Sequence, residues 1–243
     1  MIAITKTVRE IALEQPQSIR VFERFGIDYC CGGRKPLAEA CVASNLSVNE
    51  VLAALDSAEN TAALLPVDWQ QASLGKLIEH IVGTHHAYVK RELPRLAMLA
   101  QKVVNRHGDT QAHLPAIQKA LAQLDDELIH HLGKEEHVLF PYIARLEAAL
   151  VSGSSHPDAC FGNVSNPIAM MTSEHDAAGA LLAEIRSLSD GFTTPVGACP
   201  TYHAFYDGLK EFEQDLHQHI HLENNILFPR AIQMEASTVG TTA

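Results

Sequence analysis

Four long segments of this chain repeat apolar residues at alternating steps of three and four, the spacing of an amphipathic helix. No segment has the strict alternation that is typical of a strand. Gly- and Pro-bearing loops separate the four segments, which lie at roughly residues 70–107, 113–150, 167–190 and 200–236. Four amphipathic helices in series predict an all-α chain whose main part is an antiparallel four-helix bundle.

Polar residues interrupt each apolar stripe near its middle, where burial would be deepest. These residues are His86, His131 with Glu135, His175, and His219 with Glu223. An unpaired buried carboxylate costs several kcal/mol, which a pair of metal ions would offset. We therefore expect two ions, each with terminal imidazoles, joined by bridging carboxylates. The alternative is a network of hydrogen-bonded His and Glu side chains without metal.

A repeated motif strengthens the metal interpretation. Residues 131–141 and 219–229 both have the form H-x-x-x-E-x-x-x-L-F-P, 88 residues apart. The four-residue spacing places His and Glu on one helix face, about one turn apart. The repeat predicts a duplicated helix pair packed about a pseudo-two-fold axis, with matching ligands from each half.

The other histidines on these helices fall outside the stripes. We expect the side chain of His85, at the stripe's edge, to be solvated. The same expectation covers four further histidines, namely His130, His137, His217 and His221.

Composition restricts the partners and the compartment. The net charge of −11 and the scattered Lys and Arg residues disfavour nucleic acid and anionic membranes. No apolar run has the length of a signal peptide or of the roughly 20 residues that span a bilayer. Five cysteines without paired spacing do not resemble a disulfide framework. We expect a soluble, cytoplasmic protein.

Short helices are predicted before the bundle. Capping-box patterns begin at Thr7 and Ser47, and Gly26 ends the helix that reaches Phe25. The polar stretch 61–68 is predicted to be a linker. We expect a small helical N-terminal domain over residues 1–62 and the bundle over residues 68–236.

Cys30 and Cys31 stand together in a Gly-flanked turn. Adjacent cysteines form a disulfide only in a strained ring, so a stable bridge is not expected. Two accessible thiols could bind a leaving iron, a nitrosyl or a persulfide. Alternatively, one packs as a small hydrophobe and neither reacts.

The donor types favour iron, with manganese second. Zinc usually takes four ligands, often thiolates, and no Cys lies on a stripe. Calcium and magnesium prefer oxygen ligands, whereas imidazoles with bridging carboxylates suit iron.

At these motifs the chain resembles a known family. Residues 70–235 resemble a haemerythrin-like domain, and Asp28-Tyr-Cys-Cys-Gly-Gly33 resembles the N-terminal signature of repair-of-iron-centres proteins of the ScdA/YtfE type. The resemblance implies a carboxylate- and oxo-bridged di-iron site at the six stripe residues. It also implies repair of iron–sulfur clusters damaged by nitric oxide or peroxide, with the damaged iron–sulfur proteins as partners.

The resemblance leaves several roles open. The protein could donate iron, or it could be an enzyme that reduces nitric oxide to nitrous oxide. An alternative is a haemerythrin-like module that binds or senses oxygen or nitric oxide. No fifth stripe histidine matches that of oxygen carriers, so we expect one open coordination position, which also disfavours a purely structural metal bundle. Glu174 could be a carboxylate that contacts a metal ligand or lines a channel, or it could be an ordinary solvated residue. Cys30 and Cys31 could take part in the repair chemistry. The protein could be a monomer or a homodimer.

Overall fold

Every regular element of the chain is helical in the computed structural model, which describes residues 4–59, 67–155 and 157–239. Within those ranges there are eight helices and no strand, which confirms the all-α prediction. Most of the predicted linker at 61–68 lies outside the described residues. No helix in the described part is long and apolar enough to cross a membrane.

Four short helices precede the bundle. They are α1 (Val8–Glu14), α2 (Ser18–Phe25), α3 (Leu37–Ala43) and α4 (Val48–Glu59). The predicted capping box at Thr7 is confirmed: its hydroxyl accepts the Glu10 N–H at 3.2 Å, and the Glu10 carboxylate accepts the Thr7 N–H at 2.8 Å. Gly26 ends α2 at φ +65°, a conformation that glycine adopts without strain.

Four long helices form the bundle, and three of them contain a π-helical turn. The helix α5 combines Leu74–His80, the π turn Ile81–His86 and Ala87–His107. The helix α6 combines His113–Lys134, the π turn Glu135–Leu139 and Phe140–Ser152. The third is the uninterrupted α7, Ser165–Leu188, and α8 combines Pro200–Leu222, the π turn Glu223–Leu227 and Phe228–Val239.

Side-chain contacts between α5 and α6 show that these two successive helices run in opposite directions. Gln101, late in α5, accepts a hydrogen bond from Gln118 near the start of α6. His86, early in α5, lies beside Glu136, far along α6. The antiparallel four-helix bundle is thus confirmed.

Two of the three π turns, Glu135–Leu139 and Glu223–Leu227, have a local cause in the repeated motif. Pro141 has no N–H, and in an α-helix its ring would collide with the carbonyl four residues earlier. The chain widens instead, so that the Phe140 N–H bonds to the carbonyl of Glu135, five residues back. This extra residue shifts the helix register. Val138, which continues the three-and-four spacing of the apolar stripe after Glu135, is therefore 45% exposed, and Leu139 is buried in its place.

Two acidic side chains satisfy backbone N–H groups at the starts of other helices. Glu147 accepts the N–H groups of Leu74 and Gly75 at 2.7 and 2.9 Å. Glu235 accepts the N–H of Val164 at 2.9 Å and the hydroxyl of Tyr142 at 2.6 Å. Because the first N–H groups of a helix lack partners within it, these carboxylates act as caps supplied from a distance.

The chain divides into two compact units. One contains residues 1–73 and 220–229, and the other contains residues 74–219 and 230–243. The core of the first unit is built by apolar side chains of α1 to α4, including Ile11, Phe22, Leu37 and Leu55.

Candidate metal centre

The six residues predicted from the apolar stripes all have buried side chains. Taken as whole residues, backbone included, none is more than 2% exposed to solvent. They are His86, His131, Glu135, His175, His219 and Glu223. Polar side chains rarely bury so completely unless something satisfies them.

The donor atoms form two groups that share both carboxylates. One group contains His86, His219, Glu135 and Glu223, and the other contains His131 and His175 with the same two glutamates. Within each group the donor atoms lie within 4.8 Å of one another. The facing Nε2 atoms are 3.1 Å apart for His86 and His219, and 3.0 Å apart for His131 and His175. The arrangement offers two adjacent four-donor sites bridged by two carboxylates.

The surroundings of the Glu135 carboxylate indicate whether cations fit between the two donor groups. Neither of its buried carboxylate oxygens has a hydrogen-bond partner. One of them, Oε2, lies 3.5 Å from His86 Nε2 and 3.3 Å from His131 Nε2, so it faces both groups. A buried carboxylate without donors is costly, and a cation on each side would compensate it. The mixed imidazole and carboxylate donors suit iron or manganese better than calcium or magnesium.

Two further carboxylates contact the imidazoles from outside. Glu136 accepts a hydrogen bond from His86 Nδ1 at 2.8 Å and also pairs with Lys90 at 2.7 Å. Glu136 and Lys90 were not predicted as site residues, because both lie off the apolar stripes. The signal that could have found Glu136 is its position next to Glu135, since neighbours of a buried ligand lie close to the same site.

Glu174 has the equivalent arrangement on the other group. Its carboxylate accepts a hydrogen bond from His131 Nδ1 at 2.8 Å and pairs with Lys134. Its side chain is 32% exposed, so Glu174 reaches from the surface to a buried imidazole.

Both outer carboxylates are held in the ionised form. Partial burial alone would raise the pKa of Glu136, but hydrogen bonds from Lys90 and His86 outweigh it and hold the pKa below the usual value. The pKa of Glu174 is lowered in the same way, with burial opposed by hydrogen bonds from Lys134 and His131.

The prediction that His85 is solvated was wrong. The side chain is 4% exposed, and its Nδ1 lies 3.0 Å from a carboxylate oxygen of Asp215. The π turn Ile81–His86 explains the error, because its extra residue turns two consecutive histidines inward. The His85 ring lies nearly parallel to that of His219, with centroids 5.8 Å apart. Among the described residues, neither donor group includes His85 or another fifth histidine.

His221, also predicted to be solvated, is only 3% exposed. Its ring meets the Tyr29 ring edge-on, and its Nδ1 lies 2.9 Å from the Asn225 amide. Burial lowers the pKa of His221 to about 4, so it is neutral near pH 7. His130 and His137 are exposed as predicted, whereas His217 is half-buried.

The vicinal cysteines lie in a tight turn organised by one carboxylate. Asp28 accepts the N–H groups of Cys30, Cys31 and Gly32 at 2.9, 3.0 and 2.8 Å. A Cβ on Gly33 would lie 2.6 Å from a backbone oxygen, so only glycine fits there. The sequence of this turn is therefore largely dictated by backbone packing.

The two thiols are reduced and unequal in exposure. Their sulfurs are 3.7 Å apart and form no disulfide. Cys30 is buried, contrary to the expected pair of accessible thiols, and Cys31 is half-buried. The hydrogen bond to Cys31, burial and the nearby Asp28 charge raise the pKa of the Cys30 thiol.

The fold and the donor cluster define a class: helical-bundle proteins with a buried His and Glu site for cations. The family model described as the hemerythrin HHE cation binding domain matches residues 77–231, and the ScdA_N model, described as a domain of unknown function (DUF542), matches residues 4–59. The chain belongs to the YtfE-type family that carries these two domains.

Similarity to curated relatives extends over nearly the whole chain. A Yersinia pseudotuberculosis (serotype IB, strain PB1/+) protein named iron-sulfur cluster repair protein YtfE is 38% identical over 225 residues, which cover 93% of this chain and 96% of the relative. A protein of the same name from Enterobacter sp. (strain 638) is 37% identical over 226 residues, with the same coverage of both chains.

Proposed function

We propose that this protein binds two iron ions and repairs damaged iron–sulfur clusters. The observation that carries the proposal is the pair of donor groups sharing Glu135 and Glu223, deep in a bundle of the haemerythrin family. The names of the YtfE relatives supply the link to cluster repair.

In this proposal each ion takes two imidazoles and shares both carboxylates. His86 and His219 hold one ion, and His131 and His175 hold the other, with Glu135 and Glu223 as bridges. Four imidazoles and two carboxylates leave each ion short of six ligands unless a small bridging ligand is added. We assign the site to a bundle domain at 68–236 and the thiol turn to an N-terminal domain at 1–62.

When bound, two ferrous ions supply either iron that a damaged cluster has lost or electrons that reduce nitric oxide to nitrous oxide. The side chains hold the ions close together and surround them with apolar packing that excludes water. Cys31, the more exposed thiol, is proposed to bind a leaving iron ion through its sulfur, with its proton passing to water and with Cys30 beside it. We further propose that the protein works in the cytoplasm, as a monomer or homodimer, on damaged iron–sulfur proteins.

Metal analysis tests the site itself. Protein prepared under anaerobic conditions with ferrous iron should contain two iron ions per chain, and the His175→Ala variant should contain fewer. The exposed His137→Ala variant serves as a matched control and should keep both ions. Wild-type protein that takes up no stoichiometric transition metal would refute the proposed function.

A second experiment separates the two activities. The reduced, iron-loaded protein is treated with nitric oxide in the presence of an apo-cluster acceptor, and nitrous oxide, released iron and rebuilt clusters are measured. Nitrous oxide with retained iron supports reduction, and iron captured by the acceptor supports donation. Reversible oxygen binding with neither product would favour the alternative, an oxygen or nitric oxide binding protein.

A further inference from the structure

Two rows of three contacting side chains lead from the surface to the donor cluster. Lys90 pairs with Glu136, which bonds to His86, and Lys134 pairs with Glu174, which bonds to His131. Along both rows the exposed fraction of the side chain falls inward. The lysine side chains are 47% and 41% exposed, the glutamate side chains 19% and 32%, and the imidazoles 0% and 3%.

The geometry fixes which ring nitrogen carries the hydrogen. Each glutamate pairs with a lysine and places a carboxylate oxygen 2.8 Å from an imidazole nitrogen, so Nδ1 of His86 and Nδ1 of His131 donate to their glutamates. The lone pair of the neutral ring then lies on Nε2, the atom that faces Glu135 in both residues. Each glutamate therefore orients a ring and presents its lone pair to the shared interior.

We propose that Glu136 and Glu174 are positioning residues, each of which sets the tautomer and orientation of one imidazole ligand for one of the two ions. Glu136 acts on the ion held by His86 and His219, and Glu174 acts on the ion held by His131 and His175. Lys90 and Lys134 fix the outer carboxylates in place. The inference rests on the proposed metal site. It adds that two glutamates, each in contact with one imidazole from outside the donor groups, act on different ions.

The lysine pairs alone do not account for this arrangement. Ion pairs with such exposed lysines contribute little to stability, about 0–1 kcal/mol. A buried imidazole N–H, by contrast, requires an acceptor, and a carboxylate behind a metal-bound imidazole makes it a stronger ligand. Loss of such a partner weakens metal binding by about 10- to 100-fold.

The test measures metal release from each ion separately. Ferrous-loaded Glu136→Gln, Glu174→Gln and the double variant are mixed with excess ferrous chelator, and iron loss is followed over time. Each single variant should release one iron per chain about 10- to 100-fold faster than wild type, while the second leaves at the slower rate. The double variant should release both rapidly. Glu127→Gln and Glu184→Gln, exposed glutamates on the same two helices, should match wild type.

A spectroscopic measurement separates positioning from loss of folding. In the zinc-loaded protein, the Nδ1–H signals of His86 and His131 are followed by proton–nitrogen NMR. Glu136→Gln should shift the His86 signal and leave the His131 signal in place, and Glu174→Gln should do the reverse. Retention of the lysine charge in Lys90→Arg should leave both signals near their wild-type positions.

The outcomes distinguish this inference from the proposed function. If wild type binds two ions and both glutamate variants release them at the wild-type rate with unchanged signals, the positioning role is wrong and the metal site stands. If the release of both irons becomes faster by the same factor in each single variant, the assignment of one glutamate to one ion is wrong. If wild type binds no metal, the proposed function itself fails.

Discussion

Glu135 illustrates how one residue can serve both donor groups. It is fully buried, lacks hydrogen-bond partners and lies between the imidazoles of His86 and His131. Such a residue makes the metal-free fold less stable than an apolar or neutral side chain would. In the proposed site, the bridging position of Glu135 requires this charge.

The Glu135→Gln variant tests this cost. It should bind at most one iron per chain, because an amide is a poor bridging ligand. Its metal-free form should be more stable than metal-free wild type by about 1–2 kcal/mol, since a buried charge has been removed. Metal analysis and urea unfolding measure the two effects, with Glu127→Gln as the exposed control. Retention of two irons would contradict the bridging assignment.

The sequence predicted the burial of individual residues correctly where their spacing along an amphipathic helix was enough to identify them. All six stripe residues lie in the buried cluster because helical spacing forces them inward. Glu136 and Lys90 could not be found this way, since half-buried residues show no periodic signal. His221 was missed because its burial depends on Tyr29, a residue far away in the sequence.

At the scale of the element, the π turns have the largest effect on the site. Each of the three lies at a proposed ligand: Ile81–His86 ends at one, and Glu135–Leu139 and Glu223–Leu227 begin at one. Helix number and approximate bounds followed from sequence periodicity. The π turns did not, because a 3.6-residue period contains no information about a local extra residue. They account for the error at His85 and for the exposure of Val138.

Two glycines within these helices offer a direct test of helix packing. A Cβ added at Gly83 or Gly133 would meet no heavy atom within 4 Å. Gly83→Ala and Gly133→Ala should therefore each stabilise the protein by about 0.5–1 kcal/mol, through helix propensity.

Gly208→Ala provides the matched control for the glycine variants. Its Cβ would lie 2.9 Å from the side chains of Arg95 and Leu96, so no gain in the free energy of unfolding is expected. Urea denaturation compares all three variants with wild type. Equal stabilisation at Gly208 would contradict the close packing of α8 against α5.

The cap supplied by Glu235 predicts a second effect on helix stability. Glu235→Gln weakens the bonds from Val164 N–H and the Tyr142 hydroxyl and should destabilise the fold by about 1–3 kcal/mol. Tyr142→Phe, which removes one of those bonds, should cost about 1 kcal/mol. Thermal and urea unfolding measure both, and an unchanged Glu235→Gln would show that the cap contributes nothing.

At the scale of the whole molecule, the proposed metal binding would be linked to folding. The donor groups draw on all four bundle helices, so only the folded chain brings the ligands together. Binding to the folded state alone stabilises it by about 2.7 kcal/mol per site when free metal is 100-fold above Kd.

Metal removal is therefore expected to lower the melting temperature of wild type substantially. Calorimetry of the metal-loaded protein with and without chelator measures the difference. In Glu135→Gln the difference should shrink, because bridging is lost. A melting temperature independent of metal in wild type would mean that the ions do not join the four helices.

One backbone contact distinguishes the two copies of the repeated motif. The carbonyl of Asn225, four residues before Pro229, accepts a hydrogen bond from the side chain of Arg9 of α1 at 3.4 Å. At the equivalent place in α6, His137 is exposed to solvent. The two copies of one motif have thus diverged, since in α8 this carbonyl contacts the first helix of the chain.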